Sequence, residues 1–278
     1  MARLLWDQVG EKTYETGTKQ GVLYLQTGNA VSGYSYSTGV AWNGLTSVSE
    51  SPDGGDANDI YADDIKYLVL RGVENFGGTI EAYTYPPEFE ECDGSATLIA
   101  GVNIGQQPRK TFGFSYVSTV GNDTELDSYG YKIHLIYGAS ASPSERSYET
   151  INDSPEPIQF SWEFTTVPVA VTGHKPTSLI TIDSTKFKTE AQKAKLKDFE
   201  DVIYGTNGTT EYVKFTGDAF EDDVVYFERG GSADEYTYTP TTDSTMSSSK
   251  TYYTMEVTGA TNPRLPLPDE VVALLSVA

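Results

Sequence analysis

Residues 158–165, with the sequence IQFSWEFT, decide the fold class. Apolar and polar side chains alternate along this run, and a period of two places the apolar set on one face of a strand and the polar set on the other. The run therefore predicts a strand that is buried on one face only. Runs of similar character recur along the first two thirds of the chain, and further strands are predicted at residues 21–26, 40–49, 65–72, 78–85, 111–117, 130–137 and 177–183.

The composition also favours a mainly β fold. The 278 residues include 20 tyrosines and 26 glycines, and 38% of the residues are hydrophobic, which is enough for a substantial core. One helix is predicted where Leu196, Phe199 and Ile203 recur at spacings of three and four, with Thr189 as its cap and Gly205 at its end. The sequence thus predicts a β-sandwich or small barrel with one flanking helix.

Domain boundaries are predicted from changes in residue composition and strand pattern along the chain. Residues 1–205 form the predicted main domain. Residues 206–260 carry new strand candidates separated by Asn-Gly and Gly-Gly turns and a Ser/Thr tract, which predicts an inserted small β subdomain. Residues 261–278 return to the main domain as an extended arm followed by a short strand, because two Leu-Pro pairs favour extended backbone. The arm residues predicted to contact other subunits are Arg264, Leu265, Pro266, Leu267 and Pro268.

The charge balance excludes several classes of partner. The formal net charge is -21 and the pI is near 4.3, so the chain repels nucleic-acid phosphates and anionic lipid headgroups. No run approaches the roughly 20 apolar residues of a membrane span, and the N-terminus lacks the apolar core of a signal peptide, so a cytoplasmic site of synthesis is expected. Cys92 is the single cysteine, which excludes an intrachain disulfide and a cysteine metal cluster.

An acidic, glycine-containing stretch, SPDGGDANDIYADDIKYL, occupies residues 51–68 and predicts a long inter-strand loop. Its carboxylates could supply the oxygen ligands that calcium prefers, but their spacing does not fit an EF-hand loop and no glutamate closes the site. We therefore predict no metal and no cofactor. The residues of this stretch that we single out are Asp53, Gly54, Gly55, Asp56, Asp59, Asp63 and Asp64.

Catalytic centres are not predicted. Glu88, Glu90 and Glu91 could include a glycosidase carboxylate, but a chain with 40 acidic residues offers such groupings by chance. His134, on the predicted polar side of its strand, and His174, in a turn, lack the flanking motifs of a triad or a metal site. The sequence contains no phosphate-binding loop. Its many aromatic residues could form a sugar-binding face, although core or subunit packing explains most of them.

Several segments taken together resemble the major tail protein, or tail tube protein, of long-tailed bacteriophages, in the version common in phages of Gram-positive hosts. The resemblance spans residues 1 to about 205 and 261–278, whereas residues 206–260 depart from the compact pattern of that family. The segments that carry the resemblance are VGEKTYETGTKQGVLYL (9–25), AWNGLTSVSESPDGGDANDIYADDIKYL (41–68), GTIEAYTYPPEFEECDG (78–94), QPRKTFGFS (107–115) and PRLPLPDEVVALL (263–275).

The resemblance implies a structural virion protein of a siphophage tail rather than an enzyme. Tail tube proteins form rings, usually hexameric, that stack around a tape-measure protein into a tube through which the double-stranded genome passes during ejection without specific binding. Further implied partners are the tail terminator and distal tail proteins, and the implied location is the virion tail, after assembly in the host cytoplasm. Residues 46–65 would be a loop that reaches a neighbouring subunit or ring.

Two expectations about charge and assembly follow from physical arguments. Head-to-tail contacts repeated about an axis close a ring, and such contacts along the axis make an open stack. Carboxylates on the bore of a tube would repel DNA phosphate, and Glu81 and Glu163, on the polar faces of their strands, are the candidate lumen carboxylates. The alternatives are a carbohydrate-binding β-sandwich and, third, an acidic glycan-active enzyme.

Overall fold

The computed structural model describes residues 4–28, 33–55, 57–148, 150–151, 153, 157–222, 224–232, 235–247 and 249–277. The chain divides into two compact units. Unit 1 comprises Met1–Tyr204 with Pro263–Ala278, and unit 2 comprises Gly205–Asn262. Both units are built mainly from antiparallel strands, so the predicted mainly β class is confirmed. Within the described residues, no helix has the length and apolar character needed to cross a membrane.

Unit 1 contains twelve of the strands assigned in the described residues, together with three α-helices and two short 3-10 helices, Pro87–Phe89 and Ser184–Lys186. The strands are β1 (Thr13–Leu25), β2 (Val40–Trp42), β3 (Leu45–Asp53), β4 (Ala57–Ala62), β5 (Ile65–Arg71), β6 (Asn75–Ala82), β7 (Ala96–Ile99), β8 (Val102–Ile104), β9 (Phe112–Asn122), β10 (Leu126–Ala141), β11 (Phe160–Thr166) and β12 (Leu179–Asp183). The helices are the single turn α1 (Glu90–Asp93), the long α2 (Glu190–Tyr204) and the terminal α3 (Pro268–Leu275).

One large sheet organises unit 1. Its strands follow the order β2-β1-β9-β10-β11-β6-β3, and β12 also pairs with β10. The sheet curls until β3 approaches β1, where a Cβ atom on Gly21 would lie 2.4 Å from the Leu45 Cδ1 atom. The Leu45 side chain thus packs directly over the Gly21 backbone, where the two strands approach each other. The sequence predicted a β-sandwich or a small barrel, and unit 1 is instead organised by one strongly curved sheet.

The curved sheet separates two apolar cores. The core on its concave side is aromatic, and Trp42 lies between the rings of Phe89, Phe114 and Trp162 at centroid distances of 4.5, 5.5 and 5.5 Å. Offset and edge-to-face contacts of this kind stabilise a core beyond the burial of area alone. The core on the convex side lies under α2 and α3, and it includes Val22, Tyr24, Val117, Ile133, Leu135, Tyr137, Leu196, Phe199, Ile203, Leu265 and Val271.

Strand β11 confirms the alternation from which the fold class was predicted, since Trp162 and Phe164 are buried and Glu163 is exposed. The prediction of one buried face is wrong for β9 and the central part of β10, which lie between the two cores. His134 was predicted on a polar face, but it is only 9% exposed. A strand with two covered faces buries both sets of side chains, so alternation of residue type no longer reports exposure.

Helix α2 matches its predicted position and caps. Gln192 N donates to Thr189 Oγ1 at 3.2 Å, while Thr189 N donates to Gln192 Oε1 at 3.0 Å, which is the reciprocal arrangement of a capping box. Gly205 adopts a φ of 74° just beyond the last helical residue. The Tyr24 hydroxyl donates to the Ile203 carbonyl at 2.8 Å and fixes the end of the helix to the sheet.

The closing segment differs from its prediction. An extended stretch does precede Pro268, but the following residues form helix α3 rather than a strand. Pro268 occupies the first turn, where its missing N–H costs no hydrogen bond, and Asp269 and Glu270 favour the same end of the helix. Helix start signals therefore outweigh the β-branched content of this segment.

The predicted loop at residues 46–65 is also wrong, because most of it is strand. β3 pairs with β6 as far as Asp53 opposite Asn75, and β4 then pairs with β5. The β3–β6 pair is thus extended by the β4–β5 pair, which we call the ribbon, with an interruption at Gly54 and Gly55. The turn at its far end needs only two residues, so a stretch rich in aspartate and glycine still forms a hairpin.

Unit 2 is a four-stranded sheet of order β13-β16-β14-β15, with β13 at Thr209–Lys214, β14 at Tyr226–Ser232, β15 at Glu235–Pro240 and β16 at Tyr252–Thr258. Tyr226 and Tyr252 are buried on one face beside Phe220. On the other face the rings of Tyr212 and Tyr238 stack at 4.0 Å. Aromatic residues thus cover both faces of this small sheet.

Candidate assembly surfaces

The first candidate surface is the ribbon formed by β4 and β5. Cross-strand pairing places Ile60 opposite Leu68, Asn58 opposite Leu70, and Ala62 opposite Ile65 on one face. Ile65 is 63% exposed and Leu70 is 52% exposed. An isolated two-stranded hairpin is at best marginally stable in water, and this one also exposes an apolar face. The ribbon therefore has the character of a docking element.

The opposite face and the tip of the ribbon carry the acidic residues. Asp59 forms an ion pair with Lys66 at 2.7 Å across the two strands. Asp63 and Asp64 form the two-residue turn and both have positive φ, at 50° and 60°, as a type I′ turn requires. Asp53 is exposed at the end of β3, and Asp56 lies outside the described residues. The described acidic residues are thus spread from the end of β3 to the tip of the ribbon.

Gly55 and Gly72 approach each other closely where the ribbon joins the large sheet, and we call this pair the glycine waist. A Cβ atom on Gly55 would lie 2.6 Å from the Cα atom of Gly72 on the returning strand. Any side chain at position 55 would force the two strands apart, so the close crossing requires glycine. Gly54 is exposed, and a Cβ atom placed on it would point into open space.

Strand β3 is an open edge of the large sheet. It pairs with β6 on one side, and within the described ranges no strand pairs with its other side. A nine-residue edge with free N–H and C=O groups is a template for a strand from another chain. β3 leads directly into the ribbon, so the open edge and the ribbon are neighbours along the chain.

Glu81 and Glu163 lie on the convex, solvent-facing side of β6 and β11. Glu81 is directly opposite Ser161, and Glu163 is opposite Thr79, so the two carboxylates are diagonal neighbours on one face. Glu81 accepts hydrogen bonds from Ser47 at 2.9 Å and from Gln159 at 3.2 Å. The structure therefore brings both candidate lumen carboxylates together on a polar, hydroxyl-rich surface that the helices leave uncovered.

A polar network on the concave side, which was not predicted from the sequence, joins β3 to the centre of the sheet. Glu50 accepts a hydrogen bond from the Tyr116 hydroxyl at 2.7 Å and lies 3.1 Å from His134 Nδ1, while His134 Nε2 lies 2.9 Å from Ser118 Oγ. The Tyr116 and His134 rings stack at 4.5 Å. The hydrogen bond from His134 lowers the pKa of Glu50. The pKa of Tyr116 is raised, chiefly because burial desolvates its hydroxyl and also because that hydroxyl is hydrogen-bonded to the Glu50 carboxylate.

This network has the donor order of a Ser-His-Glu triad, but its setting is structural. Ser118 lies within β9, where strand pairing engages the backbone, whereas a nucleophile needs free N–H groups directed at an oxyanion. The Glu50 carboxylate instead connects the edge strand to two buried rings. Glu50 lies two residues after the apolar Val48 and therefore on the same face of β3, and this spacing is the sequence signal that could have placed it inside.

Two of the glutamates weighed as catalytic candidates, Glu90 and Glu91, have structural partners. Glu90 accepts hydrogen bonds from Thr97 and Asn103, and Glu91 pairs with Lys110. Burial raises the pKa of the Cys92 thiol to about 12, so it is not a reactive nucleophile. Across the described part of the chain, no group of three or more His, Cys, Asp or Glu side chains is arranged to hold a metal ion.

The residues of the predicted C-terminal arm pack mainly within unit 1. Leu265, Pro266 and Pro268 are buried, and the Tyr137 hydroxyl donates to the Pro266 carbonyl at 2.9 Å. Arg264 is exposed and pairs with Glu270, and Leu267 is half-buried. The arm is therefore largely folded onto its own chain, and a subunit contact stays a prediction only for Arg264 and Leu267.

Comparison with known proteins gives few matches. No family model matches the chain, and no curated protein matches it either. Among solved structures, it is similar to a chain from the cryo-EM structure of the anti-feeding prophage baseplate, 6-fold symmetrised. The match covers 64% of this chain and 97% of that chain, at 10% sequence identity and a TM-score of 0.30. At that identity and TM-score the likeness assigns no function to this chain.

Proposed function

We propose that this chain is a structural virion protein that assembles with copies of itself into stacked rings, forming the tube of a bacteriophage tail. The single observation that carries the proposal is the open edge of β3 continuing into a ribbon with an exposed apolar face. Such an element is unfavourable in an isolated monomer and is satisfied when another copy covers it. The sequence resemblance to tail tube proteins supplies the kind of assembly.

Sheet edges explain why assembly would be ordered rather than indefinite aggregation. An open edge that pairs with a neighbour about a rotation axis closes a ring when the rotation closes, and no edge then remains free. Contacts of the same heterologous kind along the axis would add further rings. The resemblance to tail tube proteins is the source of four further parts of this proposal: the hexameric rings, the tape-measure protein, the tail terminator protein and the distal tail protein.

The distribution of charge supports a conduit for DNA. Glu81 and Glu163 lie on an uncovered polar face, and the described strand positions around them carry serine and threonine. If this face lined a bore, its charge would repel phosphate and its hydroxyl groups would stay hydrated, so double-stranded DNA could pass without binding. Carbohydrate binding gains no support from Trp42 and Trp162, which are buried in the core.

A deletion at the glycine waist tests the proposal. Removing residues 56–71 joins Gly55 to Gly72, whose backbones already lie in contact, so the large sheet keeps its connectivity. We expect wild-type protein at high concentration to form tubes in negative-stain electron microscopy. The deletion variant should remain a folded monomer by circular dichroism and analytical ultracentrifugation. A wild-type chain that stays monomeric, or tubes formed by the deletion variant, would overturn the proposal.

A further inference from the structure

One segment of unit 1 is strongly positive in a chain that is otherwise acidic. Residues 186–197, which we call the lysine segment, contain five lysines and one glutamate, a formal charge of +4 within a chain whose total is -21. The five lysines are Lys186, Lys188, Lys193, Lys195 and Lys197. A local concentration of positive charge in such a chain attracts carboxylates from other molecules.

The charge of the lysine segment is accessible to a partner. Lys186 and Lys188 are exposed just before α2, and neither forms an ion pair within the described residues. The three lysines inside α2 pair with carboxylates of the same helix, three or four residues away, at 3.0, 3.7 and 3.4 Å. Exposed pairs of this kind contribute little to stability, so a carboxylate from another chain can replace them.

Helix α2 also exposes apolar surface between its lysines. Ala191 and Ala194 are exposed and are three residues apart, so they lie on one face of the helix. The opposite face carries Leu196, Phe199 and Ile203, which are buried against the sheet. The aliphatic stems of the lysines extend the apolar surface around the two alanines. This surface therefore suits a partner that places apolar side chains beside carboxylates.

The tip of the ribbon has that chemistry. Residues 53–64 contain five aspartates and no lysine or arginine. Asp63 and Asp64 are exposed in the turn, and neither forms an ion pair within the described part of the chain. Ile65 follows directly and is 63% exposed, and Tyr61 just before the turn is 66% exposed. The end of one hairpin thus combines adjacent carboxylates with exposed apolar side chains.

We propose that the ribbon tip of one copy docks on the lysine segment of a second copy, with Asp63 and Asp64 paired to its lysines and Ile65 against the exposed alanines of α2. This inference rests on the proposed self-assembly and names the surface that receives the ribbon. The donor and acceptor surfaces differ, so the contact is heterologous and can be repeated from copy to copy. Its charge pairs fix orientation and speed association more than they add affinity.

Carbodiimide cross-linking of the full-length chain tests this contact. The reagent joins a carboxylate to an amine only where the two are in contact, and mixing isotope-labelled with unlabelled chains identifies links between copies by mass spectrometry. We expect links from residues 63 and 64 to the lysine segment to be at least about tenfold more abundant than links from the exposed Glu88 to the same lysines. These links should join labelled with unlabelled chains.

Charge reversal supplies an independent test. Lys186→Glu/Lys188→Glu should raise the protein concentration at which tubes form at least about fivefold, because attraction to the ribbon tip becomes repulsion. The control Lys12→Glu/Lys175→Glu makes the same change in net charge at two other exposed lysines of unit 1, and its threshold should stay within about twofold of wild type. Asp63→Asn/Asp64→Asn removes the carboxylates while asparagine still suits the turn, and it should also raise the threshold.

Three results would overturn the inference: equal yields from the ribbon tip and Glu88, ribbon-tip links confined to single chains, or a wild-type threshold for Lys186→Glu/Lys188→Glu. Electron microscopy of the cross-linked samples separates this contact from the proposed function. Tubes without links between the ribbon tip and the lysine segment reject only the contact. Such links between copies in samples without tubes reject only the tube.

Discussion

The apolar face of the β4–β5 ribbon leads to a quantitative prediction about assembly. Leu68 and Leu70 are 37% and 52% exposed in the monomer. Full burial of a leucine side chain contributes about 2 kcal/mol, so covering the exposed fractions would contribute about 0.7 and 1.0 kcal/mol. The double variant Leu68→Ser/Leu70→Ser should therefore weaken each ribbon contact by nearly 2 kcal/mol, which is about a 20-fold loss of affinity.

The assay is the concentration at which tubes first form, measured by light scattering and checked by electron microscopy. We expect this threshold to rise at least tenfold, while the denaturation midpoint of the monomer changes little, because the substituted side chains are already partly in water. The control variant Val213→Ser/Val272→Ser removes side chains of β13 and α3 that are 40% and 63% exposed. A threshold within twofold of wild type for the ribbon variant would refute the reasoning.

Two further predictions concern Glu50 and the polar face. The folded-state pKa of Glu50 is below its ordinary value of 4.5, so its contribution to stability is present above about pH 4.5 and is lost as the pH falls through the folded pKa. The denaturation midpoint of Glu50→Gln should accordingly fall less between pH 6 and pH 3 than that of wild type or of the exposed control Glu88→Gln, and an equal fall would contradict the network. In assembled tubes, Glu163→Cys should react with a small maleimide but not with a 5-kDa polyethylene glycol maleimide at about matched concentration. Both reagents should label the monomer. Reaction with the large reagent in intact tubes would place this face outside.

Several parts of the fold follow directly from local physical chemistry. The alternation in β11 predicts its buried face because only one side of that strand is covered. Helix α2 was predictable because Thr189 and Gln192 form a reciprocal cap and Gly205 supports a left-handed turn. These signals are carried by residues close together in sequence, so they do not depend on the rest of the chain.

The incorrect predictions have a common physical origin in distant contacts. His134 is buried because β3 approaches from a distant part of the sheet and brings Glu50 against its ring, and no local pattern reports that approach. Likewise, the stretch at residues 51–68 was interpreted as a loop from its aspartates and glycines. Pairing with β5 and β6 outweighs the low strand propensity of those residues.

The glycine waist separates the mechanical roles of the ribbon and the large sheet. Gly55 and Gly72 have no side chains to resist backbone rotation, so the ribbon can change its angle to the sheet without disturbing either apolar core. In a stack held together by such ribbons, curvature would be shared among many rings through small rotations at two residues per copy. The bending compliance of the whole filament would then be set by this hinge rather than by the stiff curved sheet.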